Sequence, residues 1–108
     1  MRIFKIAIGI LLITFMGNQQ SGAQTVELAR ESEQVMLKAT RYMVEEVSTN
    51  GGYVWYYLPD FSRRWGEMEA YRTMIWVQSP GTISMGHLFL DAYQATGEEY
   101  YYQAAEKS

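Results

Sequence analysis

The segment from Gly51 to Pro80 constrains the fold more than any other part of the chain. It lies between two stretches of helical periodicity, carries Tyr53, Trp55, Tyr56, Tyr57, Trp65 and Trp76, and has no helical repeat of its own. A connection of this length between helices is uncommon in a compact domain unless it is functional. All three tryptophans and all nine tyrosines lie beyond residue 23. That is more aromatic surface than a small core encloses, so some rings are expected to face a ligand or a partner.

The first 23 residues read as a secretory signal. Arg2 and Lys5 form the basic start, an apolar run follows from Ile6 to Met16, and Ser21-Gly22-Ala23 supplies the small residues of a cleavage site. The apolar run is well short of the roughly 20 residues of a spanning helix. The expectation is therefore a secreted or periplasmic product comprising residues 24–108, with no stable membrane span after cleavage. Loss of Arg2 and Lys5 leaves seven basic against twelve acidic residues, a net charge of −5. A chain this acidic is excluded as a nucleic-acid binder, whose affinity rests on a basic surface. With no cysteine and a single histidine, His87, a disulfide framework, a thiolate zinc site, a Cys nucleophile and a His-rich metal site are also excluded.

Thr25 to Ser48 is expected to form a helix, with Thr25 as N-cap and Leu28, Val35, Ala39, Met43 and Val47 on one face. Asn50-Gly51-Gly52 stops it. Tyr53 to Leu58 has the composition of a short strand ended by Pro59-Asp60, and Met74 to Val77 is a second extended piece. The two form either a hairpin or crossing segments of an ordered loop. Thr82 or Ser84 caps a helix running to Thr96, Gly97 closes it, and Glu98 to Ser108 begins another with Tyr101, Ala104 and Ala105 on one side. That last apolar face has no evident partner, and self-association through the exposed faces of the first and last helices is expected.

Gly51-Gly52-Tyr53-Val54-Trp55, Arg64-Trp65-Gly66-Glu67, Ile75 to Thr82 and Ala95-Thr96-Gly97-Glu98, in this order, resemble the amino-terminal region of secreted bacterial proteins of the pectate lyase family 10 group. The resemblance implies a mainly α fold: αα-hairpins of an incomplete (α/α) toroid, with a short β-hairpin or extended aromatic loop between helices. It implies an acidic polysaccharide as partner and calcium as cofactor, with β-elimination of polygalacturonate carried out by the full domain. In that family the catalytic arginine and calcium-binding carboxylates belong to a later part of the protein than this region. Two alternatives stand beside it, a non-catalytic carbohydrate-binding or structural fragment and a fragment of an (α/α) toroid glycoside hydrolase.

β-Elimination of a uronate needs a base, a cation to stabilise the enediolate, and a proton for the leaving oxygen. Arg63, Arg64 and Arg72 are the candidate catalytic cations near the aromatic segment, and Asp60, Glu67 and Glu69 the candidate calcium ligands. Their spacing matches no calcium loop, and adjacent arginines among acids also read as a solvated ion-pair cluster. Tyr53, Trp55, Tyr57, Trp65 and Trp76 are candidate saccharide-binding rings, since aromatic faces stack on sugar faces, and Gln78 is the polar member of the set. Strand alternation places Tyr53, Trp55 and Tyr57 on one side; the alternative is packing of the loop on the helix ends. Glu67 and Glu69 could also serve a glycosidase as acid and base. His87 is expected to be partly buried and hydrogen-bonded rather than catalytic.

Overall fold

The computed structural model describes the backbone of residues 2–108 and the side chains of residues 21–108. The described chain is mainly helical, with α1 (Arg2–Tyr42), α2 (Thr82–Thr96) and α3 (Glu99–Lys107), and a small antiparallel sheet of β1 (Tyr56–Tyr57) and β2 (Arg64–Trp65). The chain divides into two compact units, residues 1–34 and residues 35–108. In the first, the side chains of the expected signal up to residue 20 lie outside the described residues. Among the described residues, no helix is long and apolar enough to cross a membrane.

The helix does not begin at Thr25. No helix breaker separates Ala23 from Val26, so α1 runs through, and the Thr25 hydroxyl donates to the Ser21 carbonyl at 2.9 Å instead of capping. The expected apolar stripe is buried only near its end. Leu28 is 64% exposed and Val35 67%, whereas Met43 is half-buried against the core and Val47 buried in it. There the helix widens into a π-helical turn, Met43–Val47, closed by the Ser48 N–H on the Met43 carbonyl at 2.9 Å. It stops where expected, since Asn50 (φ 53°) and Gly51 (φ 90°) turn the chain through the left-handed region.

The core gathers Val47, Tyr53, Phe89 and Ala104, with Tyr53 and Phe89 meeting edge-to-face at 6.2 Å between centroids. α2 and α3 form an antiparallel hairpin with the expected bounds. Gly97 closes α2 with its N–H on the Tyr93 carbonyl at 2.7 Å, and the Glu98 side chain caps α3 by accepting from the Tyr100 N–H at 3.2 Å. The apolar face of α3 has a partner after all, with Tyr101 and Ala104 buried. Exposed apolar side chains lie on α1, on α2 at Ile83 and Leu88, and in the segment between the helices at Met68, Tyr71 and Val77, with Tyr102 on α3 also exposed. His87 is likewise exposed on α2, not partly buried.

Between the helices a short β-hairpin forms, but not with the expected partner strand. β1 pairs with β2, Tyr56 opposite Trp65 and Tyr57 opposite Arg64, and not with residues 74–77. The strand expected over residues 53–58 shrinks to two because its first residues bond elsewhere. The Tyr53 carbonyl accepts from the Trp76 N–H at 2.8 Å, and the Val54 N–H donates to the Tyr57 hydroxyl at 2.9 Å. Thr82 does not cap α2. Its hydroxyl accepts from the Tyr53 N–H at 3.0 Å and donates to the Tyr53 carbonyl at 3.2 Å, tying the loop to the helix start.

Candidate functional site

A cleft of about 580 Å³ opens between the end of the π-helical turn and the β1–β2 connection. Glu46, Val47, Ser48, Thr49 and Asn50 line it from the helix end, Tyr57, Asp60, Phe61 and Ser62 from the β1–β2 connection, and Arg64 and Arg72 complete the lining, so that two arginines and two carboxylates border one space. Every one of these residues belongs to the unit of residues 35–108.

Arg64 sits on β2 and is only 8% exposed. Its Nη2 donates to the Thr49 hydroxyl at 2.9 Å and its Nη1 to the Arg72 carbonyl at 3.1 Å, while the Thr49 hydroxyl donates to the same carbonyl at 3.1 Å. The guanidinium lies 5.2 Å from the centre of the Tyr57 ring. Among the described residues no carboxylate pairs with it, and its buried Nε has no hydrogen-bond partner. A buried charge without a counter-ion is costly, and a donor left unpaired adds to that cost. Thr49 and the Arg72 carbonyl hold the head in place but do not neutralise it.

Its neighbour Arg63, just before β2, has the opposite fate. Nε and Nη2 grip both oxygens of Glu69 at 2.7 and 2.8 Å, and the guanidinium lies 5.1 Å from the centre of the Trp65 ring. The fork holds the Glu69 carboxyl below its usual range. A glycosidase acid needs the reverse shift, so Glu69 is poorly suited to that part. The three candidate arginines thus separate: Arg64 and Arg72 share the cleft, and Arg63 is occupied.

The candidate calcium ligands do not come together. Glu69 belongs to Arg63, and Asp60 Oδ1 accepts from the Ser62 N–H at 3.1 Å and from the Ser62 hydroxyl at 2.7 Å, which holds that carboxyl low. This turn carries Phe61 at φ 55°. Glu67 lines neither the cleft nor the groove beside it. Among the described residues no three His, Cys, Asp or Glu side chains converge on one point. The donor set therefore does not fit a calcium site formed by Asp60, Glu67 and Glu69.

No family model matches the chain, and neither the curated proteins nor the solved structures give a match. What the site can do rests on its own geometry.

Of the six expected saccharide-binding residues, only Tyr57 lines the cleft. Tyr53 leaves the set: at 2% exposure it is a core residue, because its backbone bonds draw it toward α2 and away from the strand face. Trp55, Trp76 and Gln78 form a packing cluster, in which the Trp55 indole N–H donates to the Gln78 carbonyl at 3.0 Å and the two indoles meet edge-to-face at 6.0 Å. The Trp76 ring lies directly over Gly66, where any Cβ would overlap it. Trp65 carries the Arg63 guanidinium. Sequence reasoning missed Thr49, Asn50, Phe61 and Ser62 as cleft residues. The polar run after a helix stop and the Pro59-Asp60 turn were the available signals for them, each read only as punctuation.

Proposed function

We propose that the protein is exported on residues 1–23 and binds an acidic polysaccharide of the polygalacturonate type in the cleft beside Arg64 and Arg72. The observation that carries this reading is Arg64, a buried guanidinium with no counter-ion and one unpartnered donor, facing a cleft that also holds the free guanidinium of Arg72. A uronate carboxylate supplies the missing charge and accepts from the free Nη hydrogens of Arg64 and from Arg72, the Nε of Arg64 staying buried. Tyr57 and Phe61, which meet edge-to-face at 5.9 Å, offer apolar surface to the sugar ring, and Ser48, Asn50 and Ser62 offer polar contacts to its hydroxyls.

A second reading is elimination of polygalacturonate by a lyase-like domain of (α/α) toroid type, of which the α2–α3 hairpin is one unit. The same two guanidinium groups favour it, since they would stabilise charge developing on an enediolate. Binding is the better supported of the two, because elimination also requires a base. Of the two carboxylates that line the cleft, Asp60 is engaged by Ser62, which lowers its pKa, and the exposed Glu46 is the one left for that part.

The test is a titration of the chain with polygalacturonate and with its fully methyl-esterified form, followed by tryptophan fluorescence. Binding of the acid polymer alone is expected. Arg72→Gln, at an exposed position, is expected to weaken it by about tenfold, the loss of one charge-assisted hydrogen bond. Equal binding of the esterified polymer, or none of either, would overturn the reading. A rise in the ultraviolet absorbance of unsaturated uronides during the same titration would move the choice to the lyase.

A further inference from the structure

The cleft does not end at Arg64. A second groove of about 300 Å³ adjoins it and shares Ser62, Arg64 and Arg72 with it. Its remaining walls are the Arg63–Glu69 pair, Ala70 and Tyr71. The two grooves share Arg64 and Arg72, neither paired with a carboxylate among the described residues; the cleft adds the carboxylates of Glu46 and Asp60, and the second groove the closed Arg63–Glu69 pair. Each groove has its own aromatic surface, Tyr57 with Phe61 in the first and Tyr71, 80% exposed, in the second.

We propose that the two grooves are adjacent subsites for one acidic saccharide chain, with a uronate carboxylate held at their junction by Arg64 and Arg72 and the next sugar unit lying over Tyr71. This rests on the acidic-saccharide reading above and adds to it a minimum ligand length of two sugar units. Ser62, Arg64 and Arg72 border both spaces, so a ligand that fills one reaches the mouth of the other. The positive charge is concentrated at the junction, so the carboxylate is seated there. In the second groove the fork of Arg63 and Glu69 presents charge-balanced donors and acceptors, which suit neutral hydroxyls.

Calorimetric titration of the full chain with galacturonate, digalacturonate and trigalacturonate tests the proposal. The dimer is expected to bind about tenfold more tightly than the monomer, the contribution of one further stacked and hydrogen-bonded ring. Tyr71→Ala is expected to bring the dimer to within about twofold of the monomer while leaving monomer affinity unchanged. Tyr71 is an exposed side chain outside the core, so its loss leaves the fold in place. Arg72→Gln is expected to weaken both ligands alike. Equal affinity for monomer and dimer, or a Tyr71→Ala variant with unchanged dimer affinity, overturns the two-subsite proposal and leaves the acidic-saccharide reading standing. Binding of none of the three, with the protein folded by circular dichroism, overturns both.

Discussion

The α2–α3 hairpin and the loop segment of residues 49–82 are stabilised in different ways. In the helical pair the polar bonds at the ends are local: Gly97 bonds Tyr93, Glu98 caps Tyr100, and burial falls on Phe89, Tyr101 and Ala104. In the loop the decisive bonds span 15 residues from Arg64 to Thr49, 23 from Trp55 to Gln78, and 29 from Tyr53 to Thr82. The helices are held by apolar area arranged at a fixed period, the loop by a few polar groups that find one another across the fold. The functional cleft sits in the second kind of structure. Its charge and shape therefore depend on single side chains, and the two regions should respond differently to substitution.

Tyr53 belongs to both regions and is where the contrast is most severely tested. Its ring packs on Phe89 in the core while its backbone holds Thr82 and Trp76. Tyr53→Ala removes a buried aromatic, a change that costs about 3–5 kcal/mol, and is expected to show as a large fall in the urea midpoint. Fluorescence of the loop tryptophans and helical circular dichroism should fall together, as in a two-state transition. Separate transitions would mean that the loop and the helical pair are not joined through this residue.

A smaller effect, confined to the loop, is expected from Gly66→Ala. The added Cβ meets the Trp76 ring, and relief requires Trp76 to shift against Trp55. Overpacking of this kind costs about 1–3 kcal/mol. The tryptophan emission spectrum of the folded protein should change while the helical circular dichroism does not. An unchanged spectrum would show that the indole cluster yields freely and does not define the loop.

The same contrast explains how far the sequence could be read. The end of α1, the Gly97 closure of α2 and the Glu98 start of α3 are legible because each depends on a stop residue or a cap within a few positions, whereas α2 starts without a side-chain cap, Thr82 bonding Tyr53 instead. Tyr53 was misplaced because alternation assumes that a strand continues, and its partners Thr82 and Trp76 are far away in sequence. The family of aromatic residues pointed to the right segment but largely to the wrong side chains. Trp55, Trp65 and Trp76 pack within the loop, whereas the cleft uses Tyr57 and Phe61. Arg63 and Arg64 are adjacent and chemically identical. Only the positions of Glu69 and Thr49 in the fold decide which of them is neutralised.

Alkaline titration separates the core from the exposed surface. Burial pushes the Tyr53 phenol up to about 12, from 10.0 in the unfolded chain. The folded state therefore keeps a proton that the unfolded state has lost, and the stability this group contributes is complete below pH 10 and is lost as pH rises toward about 12. Tyr100 and Tyr102 are raised as well, Tyr100 by burial and then by Glu45, Tyr102 by its hydrogen bond to Glu106. Tyr53→Phe should thus reduce, not abolish, the fall in urea midpoint over this range. An unreduced slope would place the alkaline sensitivity outside the core.

The smallest effect on stability is expected from Glu69→Gln. Exposed ion pairs contribute little to folding, and neither partner here is buried, so the urea midpoint should stay within experimental resolution of the parent. The consequence should appear in the grooves instead. Without its counter-charge Arg63 becomes a third free cation beside Arg64 and Arg72, and digalacturonate binding should tighten severalfold with a steeper dependence on salt. Because Arg63 already holds the Glu69 carboxyl below its usual range, the pair stays intact in the parent throughout the neutral range, and the comparison needs no correction for pH. A weakened dimer would instead mean that the Glu69 carboxylate itself accepts from a sugar hydroxyl. A fall in stability as large as that of Gly66→Ala would mean that the Arg63–Glu69 fork helps to hold the loop together, and the division between a neutralised and an available arginine would then be structural rather than functional.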